Sequence, residues 1–415
     1  MEELRRFFRP GVFASLVTLH GDELRRRKRA GALDTAALRD VRYVLTNYET
    51  LQSHQLSLLL VDWNIVVLDE AQQIKNSDAA RSRAARGLKR QFAICSTGTP
   101  VENRLGDLWS LYDFLSPHDP FGTAEDFARD YEADVVQGVR KAREKLAYPS
   151  PSSSLLRRTK AEALTLPRKT LYVRAVAMTG KQRELERHIV QRGRERGGIL
   201  AILQGLQKLY QHPRLLAPEA ERAAAFDLQR TLEESPKLAL CLDILRTIRT
   251  RGEKALVFTL WTEMQAMLVD VFQHELGLRR VRIINGDPKQ RRRAHDHIRE
   301  FSASDGFDVL VLSPLAAGTG LTITAANHVI HYGRWWNPAK EDQATDRAYR
   351  IGQTRPVHVH YPILHHPDSV QQGFDVKLDM LVSKKRAVAR DFLAPLPQDD
   401  IALEDLDAVQ EHEHG

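Results

Sequence analysis

The stretch Ile65-Val66-Val67-Leu68-Asp69-Glu70-Ala71-Gln72 runs from four apolar residues straight into two adjacent carboxylates. An apolar, β-branched run of this length bounded by polar residues reads as a buried strand. In an open α/β sheet, the carboxyl ends of the strands face the ligand crevice. A first acid there can hold a magnesium ion, and a second can orient or deprotonate an attacking water. Acids also collect where a strand runs into a helix N-terminus, because they favour the macrodipole. The segment alone leaves both readings open.

Further along, Phe92-Ala93-Ile94-Cys95-Ser96-Thr97-Gly98-Thr99-Pro100 repeats the pattern, an apolar run that ends in small hydroxyl residues. Working outward, strand candidates fall at residues 12–19, 43–46, 65–68 and 92–96, and again at 255–259, 281–284, 309–312, 328–332 and 357–362. Helix-length amphipathic segments lie between them, which predicts parallel α/β units. Residues 148–154 are rich in Ser and Pro and read as a linker, while residues 181–216 read as helical and polar. No repeat of fixed period is present.

The chain has 415 residues, 42% hydrophobic and 28% charged. At ~150 residues per domain this allows two or three domains with real cores. It excludes a collagenous, mucin-like or disulfide-framework protein. Lys plus Arg is 61 and Asp plus Glu is 54, a net charge of +7. Residues 398–415 hold seven acids and no Lys or Arg, so the body carries 61 basic against 47 acidic residues. That body suits a polyanion partner, and the acidic end reads as disordered. Cys95 and Cys241 are too few for a disulfide framework or a four-ligand zinc site, and read as buried thiols of a reducing cytoplasm. No apolar run approaches the ~18 residues of a membrane span. The N-terminus, with arginines among its acids, lacks the apolar core of a signal peptide. Frequent Ala and Arg point to a GC-rich bacterial genome.

Taken in order, these segments resemble motifs of the Swi/Snf-type DNA-dependent ATPases of helicase superfamily two. Asp69-Glu70-Ala71-Gln72 resembles motif II, and Ser96-Thr97-Gly98-Thr99-Pro100 with the following helical segment resembles motif III. Lys254 to Thr259 resembles motif IV, and Asn285-Gly286-Asp287 followed by Arg292 or Arg293 and Phe301 continues the likeness. Residues 313–328, with Gly318-Thr319-Gly320-Leu321, resemble motif V. Trp335-Trp336-Asn337-Pro338, leading to Gln343, Arg347 and Arg350 before Gly352-Gln353, is similar to motif VI. The likeness covers roughly residues 1–395. It implies an α/β fold of two RecA-like lobes with parallel sheets, the first lobe incomplete, and a helical insertion between them. The implied division is a partial lobe 1 at 1–165, insertion and linker at 166–234, lobe 2 at 235–397 and an acidic tail at 398–415.

The resemblance also implies roles. Asp69 and Glu70 are the magnesium and water-activating acids. Gln343, Arg347 and Arg350 complete the catalytic site from lobe 2, with Arg350 the arginine finger. Arg347 and Arg350 are three apart, so on a helix they share a face. Gly320, Leu321 and the two arginines border the nucleotide. Gln72, Thr97, Gly98 and Thr99 couple nucleotide state to lobe geometry. Thr46, Asn47, Gly286, Asp287, Gly318, Thr319, Trp335 and Trp336 are the DNA contacts, although tryptophans at such positions equally suit core packing. ATP and Mg2+ are the implied cofactors. The implied partner is double-stranded DNA bound without base reading, and no membrane.

One part of the family pattern is missing. No GxxxxGK followed by Ser or Thr occurs anywhere in the sequence; Gly180-Lys181 lacks the earlier glycine and the hydroxyl. The chain opens, by resemblance, after that motif and the next strand. The missing lysine and backbone cradle for the β- and γ-phosphates imply poor ATP affinity for these residues alone. A mis-assigned start, a split gene, or a separate chain supplying the phosphate loop would each account for it. The alternative is a hydrolysis-dead DNA-binding or regulatory module. Two departures from the pattern stand out: Gly333-Arg334 replaces the usual acid-containing pair, and Pro314 and Ala316 stand where a lysine often precedes the motif V glycines.

Overall fold

The computed structural model describes residues 8–9, 11–29, 32–98, 105–146, 154–156, 164–196, 198–218, 227–314 and 321–390. The chain divides into two compact units, one of residues 1–156 with 388–398 and one of residues 157–387 with 399–415.

The first unit contains β1 (Leu16–Leu19), β2 (Lys28–Arg29), β3 (Ala32–Leu33), β4 (Tyr43–Thr46), β5 (Trp63–Asp69) and β6 (Arg90–Ser96). β1 pairs with β4 and β5 with β6, both in parallel, and β2 with β3 forms a short antiparallel ribbon. The strand expected over residues 12–19 begins only at Leu16, because Gly11 at φ 92° opens a turn closed by the Ala14 N–H to Gly11 carbonyl bond of 3.1 Å. Period-2 alternation decides which side of β5–β6 is buried. Val66, Leu68, Ala93 and Cys95 turn into a core with Leu38, Leu51 and Phe114. Their neighbours Ile65, Val67, Phe92 and Ile94 face the other way, and are 57%, 57%, 60% and 42% exposed. Cys241 is buried as expected, whereas Cys95, on this thinly covered sheet, is only half-buried.

The second unit contains β7 (Lys169–Ala177), β8 (Lys254–Phe258), β9 (Arg282–Ile284), β10 (Asp308–Leu312), β11 (His328–His331) and β12 (Val357–His365). They form one wholly parallel sheet in the order β7-β12-β11-β8-β10-β9. Every residue of β8, β10 and β11 is buried, as parallel strands covered on both faces require. Val257, Val309 and Val311 pack under the helices Pro236–Thr250 and Thr262–Leu276. Leu256, Phe258 and Leu310 pack on the other face with Phe301, from the helix Pro288–Ala303. β7 is a strand the sequence reading did not anticipate. It pairs residue for residue with β12, from Lys169 opposite Val357 to Ala177 opposite His365. As an edge strand it stays largely exposed. The helices Gly180–Arg196 and Gly198–Gln211 follow, and Leu206, Leu209 and Tyr210 pack with Phe374 and Leu378 of the helix Phe374–Arg390. Beneath them Lys237 Nζ and Asp375 Oδ2 form a fully buried ion pair at 2.6 Å.

Candidate functional site

In the first unit, the candidate acids stand at the carboxyl end of β5, with Asp69 opposite Ser96 in the β5–β6 register. The backbone then turns sharply: Glu70 adopts φ 51° and ψ 48°, a left-handed conformation unusual for a residue with a side chain. The turn directs Glu70 toward the end of β6. Its Oε2 accepts from Gln72 Nε2 at 2.6 Å, and Gln72 Oε1 accepts from the Thr97 hydroxyl at 2.6 Å. Gln72 is buried, so both ends of its carboxamide are held by these two contacts. Asp69 remains exposed, with its backbone carbonyl accepting from the Tyr48 hydroxyl at 2.8 Å. Burial, with Cys95, Asp69 and Glu70 nearby, raises the Tyr48 hydroxyl pKa well above its ordinary value, so it serves as a neutral donor. Burial likewise pushes the Cys95 thiol up to about 12.

This donor set suits magnesium. One exposed carboxylate beside a second acid is what an ion held mainly by waters and nucleotide phosphates requires. No cluster of three or more His, Cys, Asp or Glu side chains suited to a metal occurs among the described residues.

Thr46 and Asn47 sit at the end of β4. Thr46 is exposed, whereas the Asn47 carboxamide caps the helix Tyr48–Ser53 by accepting from the Thr50 N–H at 2.7 Å. Between β4 and β5 lies an apolar cleft of about 220 Å³, lined by Val44, Leu45, Tyr48, Leu51, Ile65 and Val67 among others. Among the described residues, β4 pairs only with β1, and β5 and β6 only with each other. The facing edges of β4 and β5, and the outer edge of β6, therefore carry unpaired backbone groups.

In the second unit, Gly286 is exposed beyond β9, with open space where a Cβ would lie. Asp287 is occupied: its Oδ1 caps the helix Pro288–Ala303 by accepting from the Lys289 and Gln290 N–H groups at 2.8 and 3.2 Å. Trp335 is half-buried, and its backbone N–H donates to Glu341 Oε1 at 3.1 Å. Trp336 is half-buried against Phe374, with ring centroids 5.8 Å apart, so core packing accounts for much of it.

The helix expected to carry both arginines covers only Gln343. It spans Pro338–Thr345 and ends before Arg347, and residues 346–350 are turns. Arg347 and Arg350 therefore do not share a helix face. Arg347 is buried, its guanidinium donating to the Leu321 carbonyl at 3.4 Å and its own carbonyl accepting from the Ile323 N–H at 2.8 Å. These two bonds lock the motif VI turn to the segment after motif V. Arg350 stays half-exposed. Thr99, Gly318, Thr319, Gly320 and the acidic tail lie outside the described residues.

Two residues quoted in the sequence without a role, Gln353 and Arg334, prove to be structural keys. Gln353 is buried, with Nε2 2.8 to 3.1 Å from the carbonyls of Thr324, Ala326 and Ala348, so it staples the two motif segments together. Arg334 explains the unusual Gly-Arg pair. Its guanidinium lies 4.1 Å from the Tyr361 ring centroid and pairs with Glu341 at 3.3 Å and Asp379 at 3.2 Å. Glu341, on the Gln343 helix, is fully buried and also meets Arg386 at 2.8 Å. Burial pushes the Glu341 carboxyl up, and Arg334 and Arg386 pull against that shift. A buried charge of this kind has no signal in a single sequence, because its partners come from distant segments.

Residues 1–215 match the SNF2-related domain, and residues 236–352 match the helicase conserved C-terminal domain. The chain is 36% identical over 394 residues to the Zorya protein ZorD of Escherichia coli, covering 89% of this chain and 35% of that protein. It is 36% identical over 349 residues to the putative ATP-dependent helicase/translocase YwqA of Bacillus subtilis, covering 81% and 37%. The Sulfolobus solfataricus SWI2/SNF2 ATPase core, solved in complex with dsDNA, is 30% identical and matches 99% of this chain and 83% of its own, with a TM-score of 0.46. The chain spans about a third of the length of these two curated relatives.

Proposed function

Because the chain belongs to the SNF2-related family, we propose that it forms the greater part of an ATP-dependent translocase on double-stranded DNA. The observation that carries this reading is the line of hydrogen bonds from Glu70 through Gln72 to Thr97. It joins the acid suited to activating water to the end of the neighbouring strand, where a change in nucleotide state would be felt. When bound, ATP with its magnesium supplies the phosphoanhydride whose hydrolysis drives movement. Asp69 holds the ion, and Glu70 orients the attacking water. Arg350 and Arg347, supported by Gln343, bring positive charge to the γ-phosphate, where a planar guanidinium is the fitting donor. Leu321 and Gly320 border the nucleotide. Thr99 and Gly98 extend the coupling element. Thr46 in the first unit, and Gly286, Gly318, Thr319 and Trp335 in the second, are the proposed contacts to the DNA backbone, made without base reading.

The reading assigns the phosphate loop to a polypeptide segment outside these 415 residues. The exposed row Ile65, Val67, Phe92 and Ile94, the cleft beside β5 and the unpaired edges of β4, β5 and β6 support this assignment. The test is ATP turnover with duplex DNA, measured on the chain alone and on the chain joined to the segment encoded immediately upstream of Met1. The joined form should hydrolyse ATP in a DNA-stimulated manner, and Glu70→Gln should abolish it. The alternative reading is a binding module without hydrolysis. Tight, salt-sensitive duplex binding with no turnover in either form would establish it and exclude the translocase.

A further inference from the structure

Near the amino ends of β7, β11 and β12, one face of the second unit's sheet gathers three imidazoles. His328 and His358 are register partners on β11 and β12, and His360 is the partner of Tyr172 on β7. Paired residues of parallel strands share a face, so all four side chains stand together. They stack: Tyr172 on His360 at 5.2 Å between centroids, and His328 on His358 at 4.9 Å. With Arg174, Thr247 and Arg251 they line a cavity of about 100 Å³.

Its hydrogen bonds form a relay with one open end. Glu253 Oε2 lies 2.7 Å from His328 Nε2, and His328 Nδ1 lies 3.2 Å from His360 Nε2. A carboxylate only accepts, so His328 carries its proton on Nε2. His360 is 5% exposed, and its Nδ1 is buried with no hydrogen-bond partner. An orphaned polar atom beside a cavity points to a ligand. Arg174 and Arg251 are exposed, and among the described residues neither makes an ion pair.

We propose that this cavity binds a tetrahedral oxyanion of the phosphate class, held by His360 Nδ1–H and the guanidiniums of Arg174 and Arg251, with the Tyr172 hydroxyl, now 3.3 Å from His358 Nδ1, turning to the anion as His358 Nδ1 donates to the hydroxyl oxygen. The same wall rules against a cation, since two guanidiniums flank it and two of the imidazoles are spent on each other and on Glu253. The proton balance follows from the relay. In the empty site His328 is neutral and its Nδ1 accepts from His360 Nε2–H. On binding, His328 takes one proton from solvent and donates through Nδ1. His360 then carries its own proton on Nδ1, where it donates to the anion. One proton is taken up per anion bound.

The charged and titratable groups facing the relay are Glu253, Arg174, Arg251, His358 and Tyr172. Burial lowers the His328 pKa against the pull of Glu253, and burial with His328, Arg174, His358 and Arg251 lowers that of His360 to about 3. The empty cluster is therefore neutral at neutral pH, and anion affinity rises as pH falls.

Sulfate, which does not titrate in this range, is the probe. Calorimetry on the full chain should show one saturable site that binds about a hundredfold more tightly near pH 6 than near pH 8, about tenfold for each pH unit at one proton per anion. Arg174→Gln with Arg251→Gln, at exposed positions, should weaken it at least about tenfold with an unchanged circular dichroism spectrum. His360→Phe should remove the pH dependence. No saturable site, or the same affinity in the double arginine variant, would overturn the proposal. Displacement of sulfate by a short DNA duplex would assign the site to backbone phosphate. Saturable binding of sulfate and inorganic phosphate without displacement by the duplex would assign it to a free oxyanion.

Discussion

The Thr97 hydroxyl donates to the Gln72 carboxamide oxygen across 2.6 Å, tying the ends of two neighbouring parallel strands together. The same carboxamide holds Glu70 with its amino end. Gln72 thus links the side chain of Glu70, beyond β5, to Thr97, beyond β6, and under the proposed function this link carries the coupling.

Gln72→Ala and Thr97→Ala should each lower DNA stimulation of ATP turnover in the phosphate-loop-joined form, by about 5- to 150-fold, the usual range of a coupling free energy. Because the two side chains share one bond, the double variant should cost little more than either single one. The ratio of DNA-stimulated to basal turnover reads this directly. Additive losses would mean that the hydrogen bond carries no coupling.

Arg350→Ala should lower kcat by ~10³ to 10⁵ while leaving the KM for ATP within a few-fold, as expected of a charge needed mainly in the transition state. Arg347→Ala should also reduce thermal stability, because the guanidinium is buried on the Leu321 carbonyl. Steady-state kinetics with thermal unfolding of both variants separates the two roles.

His212 gives the second unit a defined pH response. The ring is fully buried, with Nε2 2.9 Å from the Thr231 carbonyl and Nδ1 accepting from the Arg214 N–H. Burial lowers its pKa to about 4. The folded state therefore binds fewer protons than the unfolded state between about pH 4 and pH 6.5, and stability falls as pH drops through that window. The loss between pH 7 and pH 5 should be about 2 kcal/mol. Urea unfolding of wild type and His212→Gln at the two pH values measures it, and the variant should lack this share of the pH dependence.

The exposed row on β5 and β6 should make the isolated chain bind a hydrophobic dye and self-associate at high concentration. Phe92→Lys should reduce both effects. In the joined form the same substitution should instead destabilise the protein by about 2 to 4 kcal/mol, through a charge left under a packed strand layer. Dye fluorescence, light scattering and denaturant melts distinguish the two signs.

The sequence alone determined the class. Apolar runs ending in Asp69-Glu70 and Ser96-Thr97-Gly98, then the tryptophan-to-Arg350 string, are local patterns, and local patterns survive in a linear reading. The lack of a phosphate-loop motif in these residues was also present in the letters, whereas Ile65-Val66-Val67-Leu68 is apolar throughout, so packing alone decided that Val66 and Leu68 turn to the core while Ile65 and Val67 stay exposed. Tertiary structure decided the rest. It ended the Pro338–Thr345 helix before the arginines, because Arg347 is drawn by its bonds to Leu321 and Ile323. It made β7 a strand, because β12 offered an edge to pair with. It gave Arg334 its partners on Glu341, Tyr361 and Asp379, and brought Glu253, His328 and His360 into one relay. Each of these depends on contacts between residues far apart in the chain, whose free energy exists only once the sheet and its covering helices have formed.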